Sequence, residues 1–223
     1  MADTNKPSPD QQLGLERLVF FSDAVMAIAI TLLALNLHVP ELDPAQAAAQ
    51  LPGQLAALGP SLMTFFISFL VIGIYWISHH RYFGYIRRYD TRLILLNLLF
   101  LFFIICMPFL ASLLGQYVFI PIALMAYSLA IAALGFSLAL IWVYASHDRR
   151  LISADVEAEE IRSIRVRLFA APVVFLVAVP FAYVSTAAVI VIWWLSPLIV
   201  RLALNLWGGR TPKGQPGRTP PGA

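Results

Sequence analysis

RLVFFSDAVMAIAITLLAL, residues 17–35, decides the fold of this chain. It is an apolar stretch of membrane-crossing length with one carboxylate, Asp23, just inside one end. A helix rising ~1.5 Å per residue needs about twenty apolar residues to cross ~30 Å of hydrocarbon. An ionisable group at that depth costs at least ~2.5 kcal/mol unless it is paired or wetted, so Asp23 marks architecture or function.

The rest of the chain repeats the pattern. Of its 223 residues 60% are hydrophobic and 12% charged, and the mean hydropathy is +0.80. Soluble domains carry ~45–50% apolar and ~25% charged residues, so the composition specifies an all-α integral membrane protein. Apolar stretches at about 18–37, 58–78, 93–114, 118–145, 168–184 and 186–206 predict six transmembrane helices.

The fifteen Lys and Arg residues support that segmentation. Lys6 and Arg17 precede the first stretch, and Arg81, Arg87, Arg88 and Arg92 lie between the second and third. Arg149, Arg150, Arg162, Arg165 and Arg167 separate the fourth from the fifth, and Arg201, Arg210, Lys213 and Arg218 end the chain. The alternate loops have none, so the positive-inside rule puts both termini in the cytoplasm and predicts a multi-pass protein of the cell membrane. The sequence pI near 9.2 then reports topology, and no nucleic-acid partner is expected.

Cys106, the single cysteine, excludes an intrachain disulfide or a CxxC site and reads as a packing residue. The first stretch is too long for a signal-peptide core and has no cleavage site with the right flanks, so it reads as a retained span. Residues 1–13 and 208–223 are polar and rich in Pro or Gly, and are expected to be disordered tails around a transmembrane domain at 14–207. The external segment VPELDPAQAAAQLPGQ predicts a short surface helix. In RRLISADVEAEEIRSIRVR, acids from Asp155 precede bases from Arg162, the order a helix macrodipole favours, and this segment reads as a solvated helical elbow leading into the fifth span. FSD does not recur, so any symmetry of the active unit must come from oligomerisation.

At ~100° per residue, Ala24, Ile28, Thr31 and Leu35 form one stripe along the first span, with Asp23 roughly 110° away. Such a stripe is either an ordinary helix-packing seam or, bundled around an axis, a hydrophobic constriction with a hydroxyl ring in its middle.

RxxxFSD, from Arg17 through Phe21, Ser22 and Asp23, resembles the signature opening the first helix of the potassium channel family typified by the lysosomal transmembrane protein 175. TLLAL followed by Pro40, the WxxHHxxF of Trp76, His79, His80 and Phe83, and Asn97 early in the third span extend the resemblance over the six-span core. It implies a cation channel that favours K⁺ without a TVGYG filter, in a single-repeat chain that assembles as a homotetramer; the easier dehydration of the larger ion predicts only a modest preference over Na⁺. Carried over by distance from the FSD aspartate, the family's pore residues fall on Ile28, Thr31 and Leu35. K⁺ is then the permeant ion, with no cofactor, no metal and no enzymatic activity expected. Glu41 and Asp43 near the outer mouth would concentrate cations, or simply solvate the surface.

Arg17, Phe21, Ser22, Asp23, Trp76, His79, His80 and Asn97 share a depth near the cytoplasmic boundary. Arg17 and Asp23, six residues apart, point to different sides of the helix. Asp23 therefore needs a partner from elsewhere: the Trp76 indole, a histidine or the Asn97 amide. The expectation is a network pinning the first span to the second and third. Adjacent His79 and His80 diverge by ~100° and have no further ligand at metal-binding spacing. The competing class is a proton-coupled secondary transporter working through Asp23. An intramembrane enzyme finds no GxSxG, HExxH or paired aspartates.

Overall fold

The computed structural model describes residues 8–38 and 41–206, with only the backbone of 203–206. Its elements are α1 (Pro9–Leu35), α2 (Ala47–Ala57), α3 (Gly59–Phe83), α4 (Thr91–Gln116), α5 (Pro121–Ser146), a 3₁₀ turn at His147–Arg149, α6 (Ala158–Phe181) and α7 (Thr186–Leu206). Among the described residues five of these, α1, α3, α4, α5 with its 3₁₀ turn, and α6, are long and apolar enough to cross a membrane. The apolar part of α7, Thr186–Leu202, is shorter. The protein is thus an all-helical, multi-pass membrane protein.

The core is built around α5, which is buried on nearly every side against α4, α6 and α7. Ala, Gly and Ser recur along it, and small residues let helix backbones approach in lipid, where apolarity alone gives no drive to associate. Gly135 is one such point: a Cβ there would lie 2.7 Å from the Tyr75 hydroxyl of α3 and 2.9 Å from Pro172 of α6. By contrast α1 buries a single face, Leu18, Ser22, Met26, Ala29 and Leu33, against α3 and α4.

Three expectations change. Residues 9–13, read as part of a tail, are the first turns of α1: the Ser8 hydroxyl accepts the Gln11 N–H at 3.3 Å, Pro9 occupies the first turn, and Asp10 faces the positive end of the helix dipole. The charged elbow is not helical until Ala158. Its buried Leu151, Ile152 and Val156 dock instead on the α3–α4 linker, where Ile86 and Ile152 form an antiparallel bridge and the Arg87 N–H donates to the Leu151 carbonyl at 2.8 Å. The expected short surface helix is present, with no buried residue, but its bounds differ: it starts only at Ala47 within the external segment and runs three residues past it, to Ala57. Pro40 and the segment 208–223 lie outside the described residues.

The polar segments gather at one end of the bundle. The Gln11 amide oxygen accepts from the Tyr89 N–H at 3.3 Å, and Tyr85 donates to Glu160 at 2.6 Å. Asp90 caps α4 through the Leu93 N–H at 2.9 Å and takes the Tyr144 hydroxyl, to which Arg150 also donates at 3.2 Å. Burial pushes the Asp90 carboxyl upward, but its bonds to Tyr144 and Leu93 and the nearby Arg150 and Arg92 leave it below its ordinary value. The start of α1, the α3–α4 linker and the α5–α6 segment, with Arg87, Arg88, Arg92, Arg149 and Arg150, therefore share one end.

Candidate functional site

The face of α1 opposite its packed side is open. Ile28 is 58% exposed and Leu35 71%, and Ala24 before them and Thr31 between them are exposed too. The seam against α3 and α4 is instead the Leu18–Ser22–Met26–Ala29–Leu33 row. Thr31 donates its hydroxyl proton to the Ile28 carbonyl at 2.8 Å, so its oxygen lone pairs remain for an outside partner. A turn apart, the outward residues offer branched apolar, hydroxyl and branched apolar side chains in sequence.

Behind this face runs a directed chain of hydrogen bonds. His79 Nε2 meets the Asn97 amide oxygen at 2.9 Å, the Asn97 amide donates to the Ser22 hydroxyl at 2.8 Å, and Ser22 donates to the Leu18 carbonyl at 2.9 Å. Since the Asn97 oxygen is an acceptor, this direction makes His79 the Nε2–H tautomer. Ser22, His79 and Asn97 are fully buried, and the His79 ring stacks on Phe83 at 4.0 Å and on Phe100 at 5.3 Å. His79 Nδ1 has no hydrogen-bond partner among the described residues. The chain ties α1, α3 and α4 to one another.

Asp23 makes a separate bond: the Trp76 indole donates to its carboxylate at 2.9 Å. Of the candidate partners for Asp23, the structure thus selects the indole, while the Asn97 amide donates to Ser22 and His79 bonds to the Asn97 oxygen. The His80 ring lies beside Trp76 at 5.9 Å. Arg17 and Phe21 are exposed and stand apart from both bonds. Glu41 and Asp43 are exposed, and the Asp43 carboxylate accepts the Ala45 N–H at 3.0 Å, fixing the turn before α2.

A further anchor escaped the sequence reading. The Asn36 amide, at the C-cap of α1, donates to the Pro108 carbonyl of α4 at 2.8 Å, holding the end of the helix next to Leu35. An asparagine after an apolar run is a recognised helix-ending signal, but its long-range acceptor has no sequence signature.

Comparison with known proteins bears on this arrangement. The profile of the endosomal/lysosomal potassium channel TMEM175 family matches residues 17–108, which include α1 from Arg17, all of α3 and the first two thirds of α4. A potassium channel of Streptomyces collinus is 35% identical over 173 residues, covering 76% of this chain and 82% of its own length. The chain belongs to the TMEM175 family. That family is one of ion channels rather than enzymes. The crystal structure of a TMEM175 homolog from Chamaesiphon minutus, described as a lysosomal potassium-selective channel homolog, superposes with a TM-score of 0.73 at 29% identity, covering 87% of this chain and 98% of that one. Human TMEM175, named an endosomal/lysosomal proton channel, is 27% identical over 213 residues, and the match spans 42% of its length.

Proposed function

We propose that this TMEM175 family member is a potassium channel of the cell membrane, with six spans, cytoplasmic termini and a homotetrameric assembly in which α1 lines the pore. The observation that carries this reading is the open face of α1. Ile28, Thr31 and Leu35 face away from the protomer's own core on the helix that carries the family signature. Around a fourfold axis the two branched apolar residues make rings that resist wetting when narrow, and the Thr31 oxygens between them replace part of the water of a passing cation. Potassium sheds its water more readily than sodium, so a constriction of this kind favours it modestly. The bonds of Ser22, Asn97 and His79, with Asp23–Trp76 and Asn36–Pro108, hold α1 in place, which makes the FSD residues structural rather than ion-coordinating. Glu41 and Asp43 at the outer mouth raise the local cation concentration, an effect that fades with salt.

The test is flux into proteoliposomes of purified protein under a K⁺ or a Na⁺ gradient, for the wild type, Ile28→Ala and Leu35→Ala. Uncoupled flux favouring K⁺ that loses selectivity in both variants is the expected result. The name of the human relative, a proton channel, brings proton movement into view; the second reading is a proton-coupled carrier in which Asp23, the carboxylate inside the first span, is the protonatable group. Flux that requires a proton gradient, ignores both α1 substitutions and disappears in Asp23→Asn would select it.

A further inference from the structure

Between α3, α5, α6 and α7 lies a cavity of about 410 Å³, within the range of ~300–1,000 Å³ typical of ligand clefts. Its α3 wall runs from Ile67 to Tyr82, ~22 Å by helical rise. That exceeds the ~15 Å of hydrocarbon in one leaflet. Spread over this length, the volume makes a slot thinner than the ~10–12 Å of a helix with its side chains, so a helix of a second copy does not fit.

The walls are apolar, with Ile74, Leu138, Ala171, Phe175 and Pro197 among them. Four of the five hydroxyls on the lining residues are bonded within the protein: Tyr127 with Ser68 at 2.7 Å, Tyr75 to the Ile131 carbonyl at 3.4 Å, Ser78 to the Ile74 carbonyl at 2.8 Å and Ser196 to the Trp193 carbonyl at 2.7 Å. An apolar cavity of this kind gives water too few partners to hold it. Arg167 is the one charged side chain among the described lining residues, and it makes no hydrogen bond or ion pair with another described residue. It lies with Tyr82 at the end of the slot that the other arginines share, and of the two acids in the first turn of its helix, Glu159 and Glu160, the second is engaged by Tyr85.

We propose that the slot holds one acyl chain of an anionic phospholipid from the leaflet at this basic end, with the phosphodiester on Arg167. A free phosphate would leave the apolar walls empty, and a zwitterionic headgroup brings its own cation to compete with the guanidinium. The bilayer supplies the anionic lipid at high local concentration. The inference does not depend on which ion the protein passes.

The experiment uses the full chain in phosphatidylcholine nanodiscs. These contain a trace of phosphatidylglycerol with a photoactivatable group in its acyl chain, or the matched phosphatidylcholine analogue, and labelled residues are mapped by mass spectrometry. Phosphatidylglycerol is expected to label Ile74, Ala171 and Pro197 about fivefold more than phosphatidylcholine, the preference one arginine confers beside an anionic headgroup. Arg167→Gln should abolish the preference and Arg167→Lys keep it, while the outward Phe102 labels equally with both lipids. Equal slot labelling by the two headgroups, or a preference that survives Arg167→Gln, would overturn the proposal. So would removal of the label by soluble glycerol phosphate, which would assign the arginine to a free phosphate.

Discussion

The helices α5 and α1 are both apolar enough to span a membrane, yet the bundle treats them in opposite ways. Around α5 most of the surface is covered, down to Tyr127 and Trp142, and its Ala, Gly and Ser residues are points of close approach. On α1 the small and polar residues Ser22 and Ala29 join Leu18, Met26 and Leu33 in facing inward, while Phe20, Phe21, Ile28 and Leu35 face out. In water such a face would be a liability, whereas against lipid or a symmetry axis it is free to be shaped by function. Apolar composition identifies a span and says nothing about which of its sides is covered.

Substitution is the most direct way to break this comparison. Trp142→Ala should cost about 3–5 kcal/mol, because it empties a fully buried site and removes the indole bond to the Ile161 carbonyl at 3.2 Å. Size-exclusion profiles after graded heating in detergent should show the protomer lost at much lower temperature. Leu35→Ala and Ile28→Ala should shift the same curve by no more than the ~0.5 kcal/mol of an uncovered position. An equal loss in Leu35→Ala would mean that the outer face of α1 is packed and the contrast with α5 is wrong.

The anchor behind α1 should fall between these extremes. Asn97→Leu leaves His79 Nε2–H without a partner in a dry site, at about 1–3 kcal/mol for the orphaned group, and takes from the Ser22 oxygen the donor it accepts from, leaving Ser22 only its bond to the Leu18 carbonyl. Asp23→Asn keeps a carbonyl oxygen for the Trp76 indole and loses only the charge-assisted part of that bond, so its shift should be smaller. Heating curves of the two variants side by side check the order. If Asp23→Asn is the worse of the two, the weight of the anchor lies in the half-exposed pair rather than in the buried chain.

What the sequence disclosed follows the same division. Helical spans were legible because their apolar runs are long and the bases cluster in alternate loops. The stripe of Ile28, Thr31 and Leu35 followed from helical periodicity, but periodicity is silent on whether a stripe faces inward or outward. That depends on neighbours, and here Met26, Ala29 and Leu33 form the seam instead. For Asp23 the set of partners was bounded by depth in the membrane, and only the structure separated the indole from the amide and the imidazole. The docking of Leu151 and Ile152 on the α3–α4 linker was hidden because three apolar residues in a charged segment carry no period. At the start of α1, Ser8-Pro9-Asp10 is a helix-start signal that the polar composition around it obscured.

The smallest expected effect concerns the basic end, where a polar cap replaces packing. Tyr85 donates to the Glu160 carboxylate at 2.6 Å, and this bond, helped by partial burial, pushes the phenol from 10.0 up to about 12. A folded-state value above the unfolded one means that the bond stabilises the protein fully below pH 10 and that the contribution is lost as the pH rises towards 12. Wild-type protein should therefore lose stability through this window faster than Tyr85→Phe, whose heating curve should be flatter there and slightly lower at neutral pH. Because the pair is only partly buried and water screens it, the difference should be a fraction of that seen in Asn97→Leu. Identical pH profiles for the two proteins would show that the cap is held by Leu151, Ile152 and Val156 alone, and that even at this end burial outweighs the polar bonds.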